Sequence, residues 1–333
     1  MAERTAISQG VSLGVEVIPG TAVTATRRLG SIGFSPAVKV ETSEQTPIGA
    51  KFANAQILGK EWSESAIEGA PCYTELPYVF SSLFSTATVA QIMDSATPTG
   101  AYTWAFPIAT NAADNPKTFT IEQGSSVRAH RVANAIISEL QMEFSRDEVT
   151  FSGAAIGKAI EDGITLSGTP TMLPQVMVRP TDVSVYIDTT AAGLGTTKML
   201  RTLSGSVKVS DRFGPLFVVD SAQSSFVATM ETKPKAELEL MMEADAQGMG
   251  PLVTMRAGST SFVRIEATGA TIYTGGVTVK HRFRWDFAGQ VSDVSEFSDE
   301  DGVYAIGWTL GAVHDATWDK SMAVEVITTT TAL

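Results

Sequence analysis

The sequence is poor in the residues from which catalytic and metal sites are most often built. Its 333 residues include one cysteine, Cys72, and three histidines, His130, His281 and His314. A single cysteine excludes an intrachain disulfide, and the scattered histidines do not have the spacing of a zinc site. We therefore interpret Cys72 as a small apolar residue, and His281, which lies in an alternating strand pattern, as a packed or surface-tip histidine.

Several sequence motifs of enzymes and cofactor sites are also missing. No His-Glu-x-x-His, Cys-x-x-Cys or Gly-x-Ser-x-Gly sequence occurs. Residues 193–198, GLGTTK, lack the spacing of a phosphate-binding loop, and residues 298–302, SDEDG, lack the ligand positions of a calcium loop. Paired carboxylates such as Glu237 and Glu239 fit a solvated strand face. We expect no enzymatic activity, no cofactor and no bound metal.

Long apolar runs and an excess of basic residues are absent as well. The apolar stretches are far shorter than the roughly 20 residues of a spanning helix, and the N-terminus has no apolar signal-peptide core. We therefore expect no membrane segment and synthesis in the cytoplasm. The 36 acidic and 24 basic residues give a formal net charge of −12. That balance argues against a protein that grips duplex nucleic acid through its phosphates.

Alternation of apolar and polar residues runs through the chain and predicts a mainly β fold. Residues 140–156 read as a hairpin, and the clearest single strand is 277–287, in which Trp285 lies on the apolar face. Further strands are predicted at 183–187, 206–209, 236–243, 262–267 and 299–310, the last with an Asp301-Gly302 turn and with Tyr304, Ile306, Trp308 and Leu310 on one face.

Only one segment has a clear helical pattern. In residues 74–84, Thr74 is the expected N-cap and Pro77 falls in the first turn. One face of this helix carries Leu76, Val79, Phe80 and Leu83. A weaker helix is predicted at 246–258. Few helices among many strands favour β-sandwiches or open barrels with a flanking helix over a parallel α/β fold.

The predicted elements occur twice in the same order. In each half a helix is followed by a strand, a long strand and a closing strand, and the Gly-, Pro- and Thr-rich residues 162–181 lie between the halves. This duplication predicts four parts, which are an extended N-terminal arm (1–29), a first β domain (30–160), a linker (161–181) and a second β domain (182–333).

One further motif lies near the N-terminus, in residues 14–29, GVEVIPGTAVTATRRL. The pattern Gly-x-Glu-x-x-x-Gly-Thr-Ala-Val-x-Ala-Thr is met by Gly14, Glu16, Gly20, Thr21, Ala22, Val23, Ala25 and Thr26. It resembles the segment before the first strand in tail tube proteins, the major tail proteins of long-tailed, non-contractile bacteriophages. Similar in kind to other segments of that family are residues 64–84, 138–157, 211–220 and 297–310.

The resemblance implies a structural protein of the virion. Tail tube subunits have two packed β-sheets and a flanking helix, and they close into rings that stack into a hollow conduit for genome delivery. Two fused tube domains per chain imply trimeric rings with pseudo-sixfold symmetry, and a hexameric ring is the alternative. The implied partners are further copies of the chain and the tape measure and tail terminator proteins. DNA would pass through the lumen without specific binding, because an acidic wall repels it.

Two weakly patterned segments are the candidate assembly surfaces. They are the N-terminal arm and residues 41–65, the latter being too long for an ordinary connection in a compact domain. The expected inter-subunit contact residues are Val15, Val17, Val23, Phe52, Ile57 and Trp62. For residues 41–65 the alternatives are a loop that reaches a neighbour and a hairpin within the subunit, with Gly49 or Gly59 near its turn.

A rival interpretation is a β-sandwich module that binds carbohydrate or protein. Carbohydrate recognition would require an exposed aromatic platform, for which Trp62, Trp104 and Trp318 are the candidates because they lie outside the clearest alternating strands.

Overall fold

The computed structural model describes residues 10–125 and 127–333, and the protein is mainly β. Strands account for 56% of the residues and helices for 6%. The predicted fold class is therefore confirmed. No helix within the described residues is long and apolar enough to cross a membrane.

Most of the strands are long, and each half contains a single short α-helix. The first half consists of β1 (Gly10–Val15), β2 (Arg27–Leu29), β3 (Ile32–Gln45), β4 (Ala55–Gly69), α1 (Leu76–Leu83), β5 (Thr88–Asp94), β6 (Thr97–Phe106), β7 (Phe119–Gly124), β8 (Ala129–Ser145), β9 (Val149–Gly157) and β10 (Glu161–Ile164). The remainder consists of β11 (Thr171–Met172), β12 (Val183–Asp188), β13 (Thr202–Ser210), β14 (Phe213–Leu216), β15 (Ala228–Glu231), β16 (Lys235–Glu243), α2 (Pro251–Arg256), β17 (Ser261–Thr274), β18 (Thr278–Val294), β19 (Ser298–Glu300), β20 (Val303–Ala312) and β21 (Met322–Thr328).

The two halves have the same strand order. Antiparallel pairing in the first half runs β3–β4–β9–β8–β7–β1. In the second half it runs β13–β16–β20–β18–β17–β12. Helix α1 follows β4, as α2 follows β16, and β5 and β6 are an insertion in the first half. The two halves therefore have matching strand pairings.

Matching glycines allow the two halves to be aligned residue by residue. Gly153 and Gly157 of β9 recur at the same spacing as Gly307 and Gly311 of β20. β4 lies opposite Gly157 and β16 lies opposite Gly311, so the neighbouring strands correspond as well. The alignment relates a position in one half to an equivalent position in the other, and these two positions can then be compared.

The halves share one sheet and one hydrophobic core. Residues 140–145 of β8 pair with residues 204–209 of β13, and β6 of the first half pairs with β21 of the second. The ring of Phe80 in α1 lies 5.5 Å from the rings of both Phe283 and Trp285 in β18. The two predicted β domains are thus fused side by side, because strands and core residues continue across their boundary.

Helix α1 is buried all round, and its N-cap differs from the prediction. All eight of its residues are buried, and the N-cap is Glu75 instead of Thr74. The Thr74 hydroxyl donates to the carbonyl of Pro174, so it is not used for capping. The Glu75 carboxylate accepts hydrogen bonds from the Gly30 N–H and the Gln175 amide, both at 2.8 Å. These contacts tie the start of the helix to chain segments on both sides of it in sequence.

Much of the predicted N-terminal arm is part of the first half. Residues 1–9 lie outside the described residues. β1 pairs with β7 along its whole length, and Leu13 is 3% exposed. For residues 10–16 the prediction of an arm that contacts mainly other subunits is wrong, because β1 completes the first half as β12 completes the second.

The segment predicted as a linker runs along the first half. β10 pairs with β8, and β11 runs parallel to β2. Cys72 is fully buried, and its backbone forms an isolated antiparallel β-bridge with Met177. Its burial fits the interpretation as a packed residue. His281 is 5% exposed, its ring 5.5 Å from that of Tyr73, so the prediction of a packed histidine is confirmed.

Candidate inter-subunit edge

The joint between the halves shows how one repeat of this fold binds the next. Residues 204–209 of β13, the strand at one edge of the second repeat, pair with residues 140–145 of β8. Phe144 is 6% exposed there. Gly205 permits the close contact, since a Cβ at this position would lie 2.5 Å from the Phe144 ring. Backbone pairing and side-chain packing thus both contribute to the joint.

The equivalent edge of the second repeat has no partner strand among the described residues. Ser295 donates its N–H to the carbonyl of Gly307 at 2.9 Å, and Gly307 corresponds to Gly153, which pairs with β8. Residues 295–300 therefore take the place of residues 140–145. They pair on one side with β20 through β19, and in the part of the chain that the structure describes no strand pairs with them on the other side. We call residues 295–300 the open edge.

Apolar surface is exposed beside the open edge. Phe297 and Tyr304 are 49% and 62% exposed, and their rings stack with centroids 4.8 Å apart. Tyr304 was expected on the buried face of β20 with Ile306 and Trp308, which are 3% and 1% exposed. Its exposure arises because no further strand covers this end of the sheet. Unpaired backbone groups beside exposed aromatic rings are a template for another strand.

The strand that matches the open edge is β3. Ser63 of β4 and Glu237 of β16 lie opposite corresponding glycines, so their partners Val38 of β3 and Lys208 of β13 correspond. β3 pairs with β4 on one side and, among the described residues, with no strand on the other. The chain therefore presents both halves of the joint, unpaired, at different places, which is the requirement for head-to-tail association.

An acidic groove follows the internal joint. It has a volume of about 460 Å³, and its walls include Glu143, Glu148, Glu239 and Asp293 but no lysine or arginine. Along the same joint, Lys208 of β13 donates a hydrogen bond to the carboxylate of Glu139 in β8 at 2.7 Å. This contact raises the pKa of the Lys208 ammonium group. Such a surface has a negative potential and repels polyanions.

Three of the predicted contact residues make contacts within their own chain. Val15 lies in β1 and packs against the core, and the N–H of Val23 donates to the Thr120 hydroxyl at 3.0 Å. Trp62 packs edge-on against Phe217, with the ring centroids 5.8 Å apart. These contacts join the N-terminal segment to the first half and one half to the other. Contact of Val15, Val23 and Trp62 with a neighbouring subunit therefore stays a prediction beside these intrachain contacts.

The other three predicted contact residues are accessible. Val17, Phe52 and Ile57 are 91%, 84% and 50% exposed. The structure shows the hairpin alternative for residues 41–65, which form the outer part of a long hairpin whose strands are largely exposed. Contact of this hairpin with a neighbour stays a prediction. Its turn includes Gly49, with a φ of 87°. These three residues remain predicted inter-subunit contacts.

The loop that resembles a phosphate-binding sequence is occupied by a carboxylate of its own chain. Asp188 accepts hydrogen bonds from the N–H groups of Gly195, Thr196 and Thr197 at 3.1, 3.3 and 3.0 Å. A bound phosphate would require those same donors. Within the described residues, no group of three or more His, Cys, Asp and Glu side chains is arranged to hold a metal ion.

The tryptophans considered for an aromatic platform do not share one exposed surface. Trp104 is 3% exposed and donates its indole N–H to the Thr330 carbonyl at 2.8 Å. Trp62 is half-buried against Phe217, and Trp318 packs against Phe262 at 6.0 Å. A carbohydrate site built on all three is therefore not possible in this fold.

Comparison with known families and with curated proteins finds no family model and no curated protein that matches the chain. The open edge was not predicted from the sequence either. Residues 299–310 were predicted as a strand, but a strand pattern does not say which of its edges has a neighbour. The internal duplication is the signal that could have found it, since two repeats joined in line leave one edge free at each end.

Proposed function

We propose that the chain is a structural subunit that binds further copies of itself head to tail, closes into rings and stacks into the tube of a phage tail. One observation carries the proposal. The open edge is unpaired, whereas the equivalent edge of the first half, in β8, is paired with β13. One copy's β3 would pair with residues 295–300 of the next copy as β13 pairs with residues 140–145 within the chain. Closure satisfies every such edge.

Each chain supplies two tube-type repeats, so we propose rings of three chains with pseudo-sixfold symmetry. The internal joint then accounts for every second joint around the ring. The acidic groove follows that joint, and we place its face toward the lumen, where it would let DNA slide without sticking. In this proposal the protein is a component of the virion, has no catalytic role, and contacts tape measure and terminator proteins at the ends of the tube.

A cysteine pair tests the proposed joint directly. Val209 lies opposite Leu140 across the internal joint, and the corresponding positions are Lys39 and Ser295. Residues directly opposite each other on antiparallel strands are close enough for a disulfide. We expect the double variant Lys39→Cys with Ser295→Cys to form inter-chain disulfides under mild oxidation. Because the ring is closed, the final product should be a covalent trimer without longer ladders.

The matched control moves one cysteine to Lys280, an exposed position near the other end of β18. Lys39→Cys with Lys280→Cys should give no specific product, and Cys72 is too deeply buried to contribute. If the final covalent product is a hexamer, the ring contains six chains and the proposed trimeric ring is wrong. Equal cross-linking of both pairs, or a monomer in micrographs that is retained on polysaccharide resin, would overturn the proposal and favour a binding module.

A further inference from the structure

Each half extends a hairpin beyond the joint, and the two hairpins correspond in register. In the second half it is formed by β14 and β15, with Phe213 opposite Glu231. In the first half it is residues 41–58 of β3 and β4, which we call the outer hairpin. There Ser43 lies opposite Ile57, which are the positions that the alignment of the halves equates with Phe213 and Glu231.

The hairpin of the second half is docked on the first half. Phe226 near its turn is fully buried. Phe217 packs against Trp62 and lies 5.2 Å below the Lys60 ammonium group. The Ser225 hydroxyl accepts a hydrogen bond from the N–H of Ala159 at 3.2 Å. This docking lies next to the β13–β8 pairing and extends the internal joint outward.

The outer hairpin has a phenylalanine equivalent to Phe226, but within the described residues it has no surface to dock on. Phe52 lies five residues before Ile57, and Phe226 lies five residues before the equivalent Glu231, so the two phenylalanines correspond. Phe52 is 84% exposed, whereas Phe226 is 0% exposed. Ile57 and Leu58 of the same hairpin are also at least half exposed. Such a concentration of apolar side chains on a projecting element marks a surface that is covered by a partner.

Both hairpins also depart from the regular ladder at the same place. In the second half β13 ends at Ser210, and Asp211, with a φ of 55°, separates it from β14. In the first half the pairing register shifts between Val40 and Thr42, the equivalent position. An irregularity of this kind bends a strand. The outer hairpin therefore has a ladder irregularity at the position where the hairpin of β14 and β15 has one.

We infer that the outer hairpin docks on the second half of a neighbouring copy, with Phe52 as its buried anchor. The seat is the flank formed by Pro234, Ala236 and Val313. These positions are equivalent to Lys60, Trp62 and Ala159, which receive the hairpin of β14 and β15. This inference rests on the proposed function, because it requires the head-to-tail joint, and it assigns to that joint a second, side-chain contact outside the strand pairing.

Truncation of the anchor tests the inference. Loss of a buried aromatic anchor at an interface is expected to raise the concentration needed for assembly by about 30-fold or more. We expect this of Phe52→Ala in sedimentation and electron micrographs. The matched control is Ile48→Ala in the same hairpin, an apolar side chain that is 108% exposed. It should change the assembly concentration less than about 3-fold, as expected away from a hot spot.

Cysteine accessibility provides a second, local measurement. Phe52→Cys should react with a maleimide in the dispersed chain and be protected in assemblies formed at high concentration, whereas Ile48→Cys should react in both. Unchanged circular dichroism of Phe52→Ala establishes that the variant folds. If the unaltered chain assembles but Phe52→Ala assembles equally well and Phe52→Cys stays reactive, the docking inference is wrong and the proposed function stands. If the unaltered chain never assembles, both are wrong.

Discussion

Glu16 is expected to be one of the strongest single contributors to the stability of this fold, although it belongs to the motif first interpreted as an arm. Its carboxylate is 3% exposed. It accepts hydrogen bonds from the N–H groups of Gly20 and Asn134 at 2.7 and 2.8 Å, and from the hydroxyls of Thr118 and Thr120 at 2.8 and 2.9 Å. One side chain thus ties the N-terminal segment to β7 and β8.

The cost of removing this carboxylate follows from its four donors. In Glu16→Ala both hydroxyls can rotate toward other acceptors, but the buried N–H of Asn134 and the part-buried N–H of Gly20 lose their acceptor. Each loss costs about 1–3 kcal/mol. We expect Glu16→Ala to lower the free energy of unfolding by about 4 kcal/mol. Glu16→Gln keeps one acceptor oxygen, so about 2 kcal/mol is expected from the single N–H that it leaves unsatisfied.

Urea denaturation followed by circular dichroism measures these differences. With an m-value of about 3 kcal/mol/M, the midpoint should fall by roughly 1.3 M for Glu16→Ala and 0.7 M for Glu16→Gln. The control is Glu41→Gln, whose exposed ion pair with Lys60 spans 3.2 Å and should contribute under about 1 kcal/mol. A midpoint of Glu16→Ala within error of that control would refute the reasoning.

Three further predictions concern other buried groups. Arg212→Met leaves the buried Asp114 carboxylate without the guanidinium 2.7 Å away, so we expect the free energy of unfolding to fall by about 3–5 kcal/mol. Adding Asp114→Asn should recover part of this loss, and no recovery would contradict the ion-pair explanation. Phe226→Ala should lower chain stability by about 3–5 kcal/mol, while Phe52→Ala leaves it unchanged; equal losses would contradict the different exposures of the two rings. Burial lowers the pKa of His281 below 6.5, so the unfolded chain binds this proton more readily and stability falls as pH falls through that range. His281→Phe should reduce the difference between urea midpoints at pH 7.5 and 5.5, and an unchanged difference would be evidence against this role.

The sequence alone determined the features that depend on local periodicity. Alternation of apolar and polar residues predicted β8, β9, β12, β13, β16, β17, β18 and β20, because successive side chains of a strand point to opposite faces. The spacing of four apolar residues predicted α1, and the repeated order of elements predicted the duplication. Trp285 and Trp308, placed on apolar strand faces, are fully buried in the structure.

The tertiary structure decided which strands are neighbours and which surfaces are left free. Residues 10–15 have a weak pattern of their own, and only pairing with β7 makes them a strand of the sheet. Phe52 and Phe226 occupy equivalent positions in two similar hairpins, yet one is exposed and the other is buried. Periodicity describes one segment at a time, whereas burial depends on what packs against it. The open edge is open because residues 295–300 pair on one side only among the described residues, whereas residues 140–145 also pair with β13.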